Sequence, residues 1–216
     1  MYDPAPKRGP LTSEERWSFG IFLVVVLGLL VAEVFCNFEP VKLSALLVPL
    51  FWIPLLAFHE VGHALVAALV GWHVSQIVIG MGRIVGRFRL GTAVVEVRLV
   101  PIEGFVKCVP KSLHLPQVKN ALIYFAGPGV ELLLALAILL AVGPATLLQR
   151  SDDYMVIVWQ SLALASVVQG VLNLIPHWIQ IPEGICPNDG LGILRSFSLP
   201  DEHYAKMMEN CEEHQT

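Results

Sequence analysis

His59, Glu60 and His63 stand in the order His-Glu-x-x-His inside an apolar run, 43–70, where ionisable residues are scarce. On a helix, residues four apart differ by about 40° and one turn of rise, so the two histidines share a face. Two imidazoles so placed can hold one zinc ion, and Glu60, about 100° round from His59, comes within reach of the water that such an ion activates. Soluble proteins also carry this spacing by accident. Within a membrane helix it is less casual, because a charged side chain at the bilayer centre costs about 2.5–3.5 kcal/mol and so usually has a partner or a function. The plainer reading is a pair of interfacial histidines and a glutamate satisfied by neighbouring helices.

The elements that must position these residues belong to a membrane protein. Of 216 residues, 55% are hydrophobic and 15% charged, well outside the soluble norm. A net charge of −4 and the lack of a basic cluster with interleaved aromatics give no case for nucleic acid. Cys36, Cys108, Cys186 and Cys211 are scattered without a CxxC pair, so they imply neither a disulfide framework nor a thiolate zinc site.

Four apolar stretches predict an α-helical integral membrane protein with about four transmembrane helices, spanning 19–36, 43–70, 120–142 and 155–176. The first is near the lower length limit for a span, and no A-x-A-like cleavage site follows it, so it reads as a retained helix. In the second, Pro49 and Pro54 predict a kink about one turn before His59. Between the second and third lies a β-rich insert, 74–109, with strands at 74–79, 87–90, 93–100 and 105–108 and a hairpin turn at Gly91-Thr92. It carries Arg83, Arg87, Arg89, Arg98 and Lys107. It is either a solvated hairpin or a membrane-surface sheet whose free edge holds a peptide in extended form. The third span contains Gly127-Pro128-Gly129, small residues that permit close helix approach, and Glu131. The fourth ends at Asn173-Leu174-Ile175-Pro176, and a polar stretch leads to Asn188-Asp189-Gly190. The tail from Pro200 is acidic and reads as soluble.

Three basic residues precede the first span and one follows it; seven lie between spans two and three, one between three and four, and two after the fourth. Both termini in the cytoplasm fit that alternation. His59 and His63 then sit in the cytoplasmic half of span two, and Asp189 follows the cytoplasmic end of span four.

The ordered set His59-Glu60-x-x-His63, the strands of 74–108, Gly127-Pro128, and Asn173-x-x-Pro176 with Asp189-Gly190 resembles the site-2 protease family of intramembrane zinc metalloproteases. The likeness covers roughly 43–196. Composition and charge alternation set off a cytoplasmic N-terminal segment 1–17 and an acidic tail 200–216, and the likeness makes 18–199 one membrane metalloprotease-like domain. It also implies one zinc per chain held by His59, His63 and Asp189, with Glu60 as general base. Asn173, Gly104 and Phe105 would position the substrate, a membrane-spanning protein within the lipid bilayer. Sixteen residues separate Asn173 from Asp189, more than the family uses, and the loop 177–186 accommodates them. Glu131 stands where the family commonly has Asn, and Glu103 replaces the first Gly of a Gly-Gly-aromatic turn; these departures suggest a divergent branch. For Asp189 the competing reading is ordinary turn chemistry, and the rival ligands are Glu183, His177 and Glu131. A catalytically degenerate scaffold of the same fold is the alternative function, against which an intact Glu60 argues. A di-iron hydroxylase needs more His-rich clusters than one HxxxH, and a transporter lacks its repeat. Compactness and the charge pattern suggest a bacterial plasma membrane.

Overall fold

The computed structural model describes residues 13–36, 38–181 and 184–213; Lys7, Arg8, Glu183 and His214 lie outside them. Helix α1 (Ser13–Cys36) is followed by a 3-10 turn, Pro40–Leu43, and by α2 (Ser44–Leu69). Two long strands, β1 (Trp72–Leu90) and β2 (Ala93–Pro110), lead to α3 (Pro116–Val142), the short α4 (Pro144–Leu148) and α5 (Tyr154–Leu174). A hairpin of β3 (Trp178–Ile181) and β4 (Gly184–Pro187) precedes α6 (Asp189–Ser196) and α7 (Asp201–Glu213).

Among the described residues, three helical stretches are long and apolar enough to cross a membrane: Pro40–Leu69, Pro116–Val142 and Tyr154–Leu174, with mean hydropathies of 2.0, 2.2 and 1.8. Large apolar side chains such as Leu65, Leu69, Leu133 and Leu140 point outward and are more than half exposed. A helix apolar all round is suited to lipid, where its backbone bonds are already satisfied internally. The described apolar part of α1, Val24–Cys36, is shorter than these three. Its Glu33 pairs with Lys42 of the 3-10 turn at 2.6 Å. Helix α2 runs unbroken through Pro49 and Pro54.

The β insert forms a two-stranded sheet, not several short strands. The turn falls at Gly91-Thr92, as the sequence implies, with Gly91 at φ +60°. From there Leu90↔Ala93 to Ile84↔Arg98 pair antiparallel. Strand β1 then bends through Gly80 and Gly82, both at positive φ. Its Gln76–Ile79 segment has two neighbours: Val94–Val97, running alongside, and Gly104–Lys107, running opposite. A long strand that bends thus lies between two parts of its own partner. A Cβ at Gly80 would fall 2.8 Å from the Val100 carbonyl oxygen, so only glycine fits the bend.

The sheet packs on the ends of α2 and α3 through Ala67, Trp72, Val74, Ile77, Ala93, Val95, Ile123 and Tyr204. Tyr204 belongs to the segment read as a soluble tail; that segment is helix α7, and Tyr204 is fully buried. Its hydroxyl donates to the Ser196 carbonyl at 3.1 Å and accepts from Asn120 Nδ2 at 3.3 Å. α7 thereby fastens the end of α6 to α3.

Candidate metal centre

His59 and His63, one turn apart on α2, are buried, and their Nε2 atoms lie 3.0 Å apart. The other ring nitrogens turn towards α3. His63 Nδ1 lies 2.6 Å from the Ile123 carbonyl, which accepts its proton, and His59 Nδ1 lies 3.3 Å from Glu131 Oε2. With Nδ1 protonated in each ring, both Nε2 lone pairs are free to meet at one point. α3 approaches this closely because of Gly127: a Cβ there would collide with both Nε2 atoms. On the α2 side, a Cβ at Gly62 would press on Val130 at 2.9 Å. Ile123, Gly127 and Glu131 recur every four residues, so one stripe of α3 meets His63, the gap between the rings, and His59 in turn.

Asp189 completes the cluster from the first turn of α6. Its Oδ2 lies 3.0 Å from His59 Nε2 and its Oδ1 3.3 Å from His63 Nε2. Burial by itself would raise the Asp189 carboxyl, but the facing imidazoles, when they carry a proton on Nε2, hold it below the usual carboxylate range. Among the described residues, His59, His63 and Asp189 form the group able to hold a metal, with donor atoms all within 4.8 Å. Zinc at about 2.0–2.2 Å from tetrahedral ligands keeps them about 3.3 Å apart, so two imidazole nitrogens and a carboxylate at these separations fit it.

The sixteen-residue spacing does not displace Asp189, because the inserted loop is a closed hairpin. Trp178 pairs with Pro187 at its base, and just below, Asn188 N–H donates to the His177 carbonyl at 3.0 Å. The Asn188 side chain does more. Its Oδ1 accepts from His177 N–H (2.9 Å) and caps α6 through Leu191 N–H (3.1 Å), while Nδ2 donates to the Asn173 and Ile175 carbonyls at 2.9 and 2.7 Å. The Asn-Asp-Gly stretch is thus a helix start and a candidate ligand at once. A Cβ at Gly190 would overlap the Leu174 carbonyl, and one at Gly192 would meet the Tyr124 ring at 2.5 Å; these glycines let α6 seat between α5 and α3.

Glu60 is 3% exposed and its Oε2 has no hydrogen-bond partner. Gly104 of β2 lies directly against it: a Cβ there would stand 2.5 Å from Glu60 Oε1. Phe105 follows, half-buried, with the Arg98 guanidinium 5.9 Å and the Lys107 ammonium 5.4 Å from its ring centre. The Asn173 side chain makes no hydrogen bond among the described residues. Of the rival ligands, Glu131 faces the back of His59 rather than the cluster, and His177 is exposed with Nδ1 on the Ile175 carbonyl at 2.8 Å. Residue types alone did not reveal the parts played by Ile123 and Asn188, and showed Gly127 only as a small residue permitting close approach; the four-residue stripe on α3 was the available signal for Ile123.

Residues 47–150 match the model of Peptidase family M50. This is the site-2 protease family, and the resemblance drawn from the motifs holds over that stretch. The M50 match takes in α2, the β1–β2 sheet and α3, just under half of the chain, and supports a membrane metalloprotease. It stops short of Asn173 and Asp189, whose place at the cluster rests on the geometry above. No curated protein matches the chain.

Proposed function

We infer that this chain is an intramembrane zinc metalloprotease, hydrolysing peptide bonds within or next to the transmembrane segments of membrane proteins. The observation that carries this reading is the meeting of His59, His63 and Asp189 beside the buried, partly unpartnered carboxylate of Glu60. His59 Nε2, His63 Nε2 and the Asp189 carboxylate would hold zinc and leave a fourth position open, as catalytic sites require. Bound there, zinc supplies Lewis-acid polarisation of the scissile carbonyl and a water nucleophile near neutral pH. Glu60 would hold the proton released as water attacks and deliver it to the leaving amine. A substrate helix hides its peptide groups in its own hydrogen bonds, so it must unwind first. The strand edge at Gly104 and Phe105 offers replacement backbone bonds directly over Glu60, and Asn173 has a side chain free to add another. α1 would supply a fourth span, both termini would lie in the cytoplasm, and the charge pattern suits a bacterial plasma membrane.

Metal content of the detergent-purified chain tests this. About one zinc per chain is expected, lost in His63→Ala and Asp189→Ala. Glu60→Gln is expected to keep its zinc and lose cleavage of a membrane-spanning substrate. A folded wild type that takes up no zinc when resupplied overturns the reading. Zinc lost only in His63→Ala moves the third ligand away from Asp189.

A further inference from the structure

Glu131 is a fully buried ionisable residue in the middle of α3, one of the helices long and apolar enough to cross a membrane. Its Oε2 lies 3.3 Å from His59 Nδ1, yet neither carboxylate oxygen nor that Nδ1 has a hydrogen-bond partner among the described residues. For helix packing alone this is a poor choice. An apolar residue of similar size would spare α3 the cost of a carboxylate in lipid. The carboxylate is useful in one respect: it faces the ring nitrogen that points away from the metal cluster. His63 has the same need met by the Ile123 carbonyl. His59, one turn back along α2, has no backbone carbonyl in that role, and Glu131 stands where one is wanted.

We propose that Glu131 is a positioning residue: by accepting the Nδ1 proton of His59 it fixes the tautomer and ring angle that aim Nε2 at the metal. This rests on the zinc reading above. A carboxylate behind a ligating imidazole is typically worth 10–100-fold in metal affinity. The test is a zinc titration against a chromophoric chelator on the full-length chain in detergent, with thermal unfolding of each metal-free form alongside. Glu131→Leu is expected to bind zinc about 10–100-fold more weakly while its metal-free form unfolds no earlier than wild type, since an unneeded buried carboxylate has gone. Glu131→Gln, whose amide oxygen can still accept from Nδ1, is expected to recover most of the affinity. Glu131→Asp keeps the charge but withdraws it by one carbon, and is expected to bind weakly; it decides the matter if the leucine variant does not fold.

Wild-type affinity in both the Leu and Asp variants overturns the proposal. So does a Gln variant as weak as Leu, which would make Glu131 a ligand or a bare countercharge. A wild type that binds no zinc sinks the metalloprotease reading itself, and this one with it.

Discussion

At the scale of single residues, the decisive contrasts are between what a position prefers alone and what the cluster requires of it. In an unconstrained helix Gly127→Ala would stabilise by up to about 1 kcal/mol. Here the added methyl enters the space in front of both Nε2 atoms, so the variant is expected to lose zinc and unfold earlier, read by metal content and thermal unfolding. Asn188→Ala removes a helix cap worth about 0.5–2 kcal/mol and also releases the carbonyls of Asn173 and Ile175. Asn188→Asp keeps the capping oxygen but loses the two donated bonds and sets a carboxylate oxygen against those carbonyls. Lower zinc affinity in the aspartate variant, with α6 still helical, is the expected sign that the side chain holds Asp189 in place. His59, Glu60 and His63 were legible in the sequence because their relation is set within one helix. Gly127 and Glu131 were legible only as a close approach and a carboxylate out of place, and Ile123 not at all, because their part depends on how α3 crosses α2.

At the scale of elements, the β1–β2 sheet shows why the insert was only half legible. Gly80, Gly82 and Gly86 punctuate β1 as if they were breaks, yet the strand continues through them and bends to serve two neighbours. The Gly91 turn was readable because its requirement is local. On the same sheet, burial acts to raise the Glu96 carboxyl, but hydrogen bonds from Arg87 (2.6 Å) and Arg98 (3.2 Å) hold it below its ordinary value. A carboxyl lowered on folding stabilises fully above its unfolded value, and that contribution fades as pH falls through the folded value. Amide-exchange protection of β2 is therefore expected to stay level from neutral pH down into the ordinary carboxylate range and to fall below it. In Glu96→Gln that fall is expected to vanish. Cys108, whose thiol burial pushes up to about 12, is expected to resist maleimide at neutral pH until the sheet opens.

At the scale of the whole molecule, the apolar outer surface and the site are one design: helices that present leucine to lipid put histidine and carboxylate inside. Composition and charge alternation made the membrane assignment readable. The docking of α7 was not, since its acidic surface conceals the anchoring Tyr204 and, beside it, Met207. The proposed orientation has a direct check at Cys36, which is exposed at the end of α1. In a chain whose other cysteines are replaced by alanine, a membrane-impermeant maleimide is expected to label Cys36 from outside intact cells. Labelling only after permeabilisation would reverse the topology.

The β3–β4 hairpin leaves and re-enters the fold at almost the same place, with Asn188 as its clasp. A segment whose ends already meet is free to change length without moving anything it joins. Because opposite strands exchange bonds in pairs, growth or loss in steps of one residue on each side keeps the register intact. Such a hairpin can lengthen or vanish between otherwise equivalent proteins, and a pattern that fixes the interval between the asparagine and the aspartate will pass over chains built like this one.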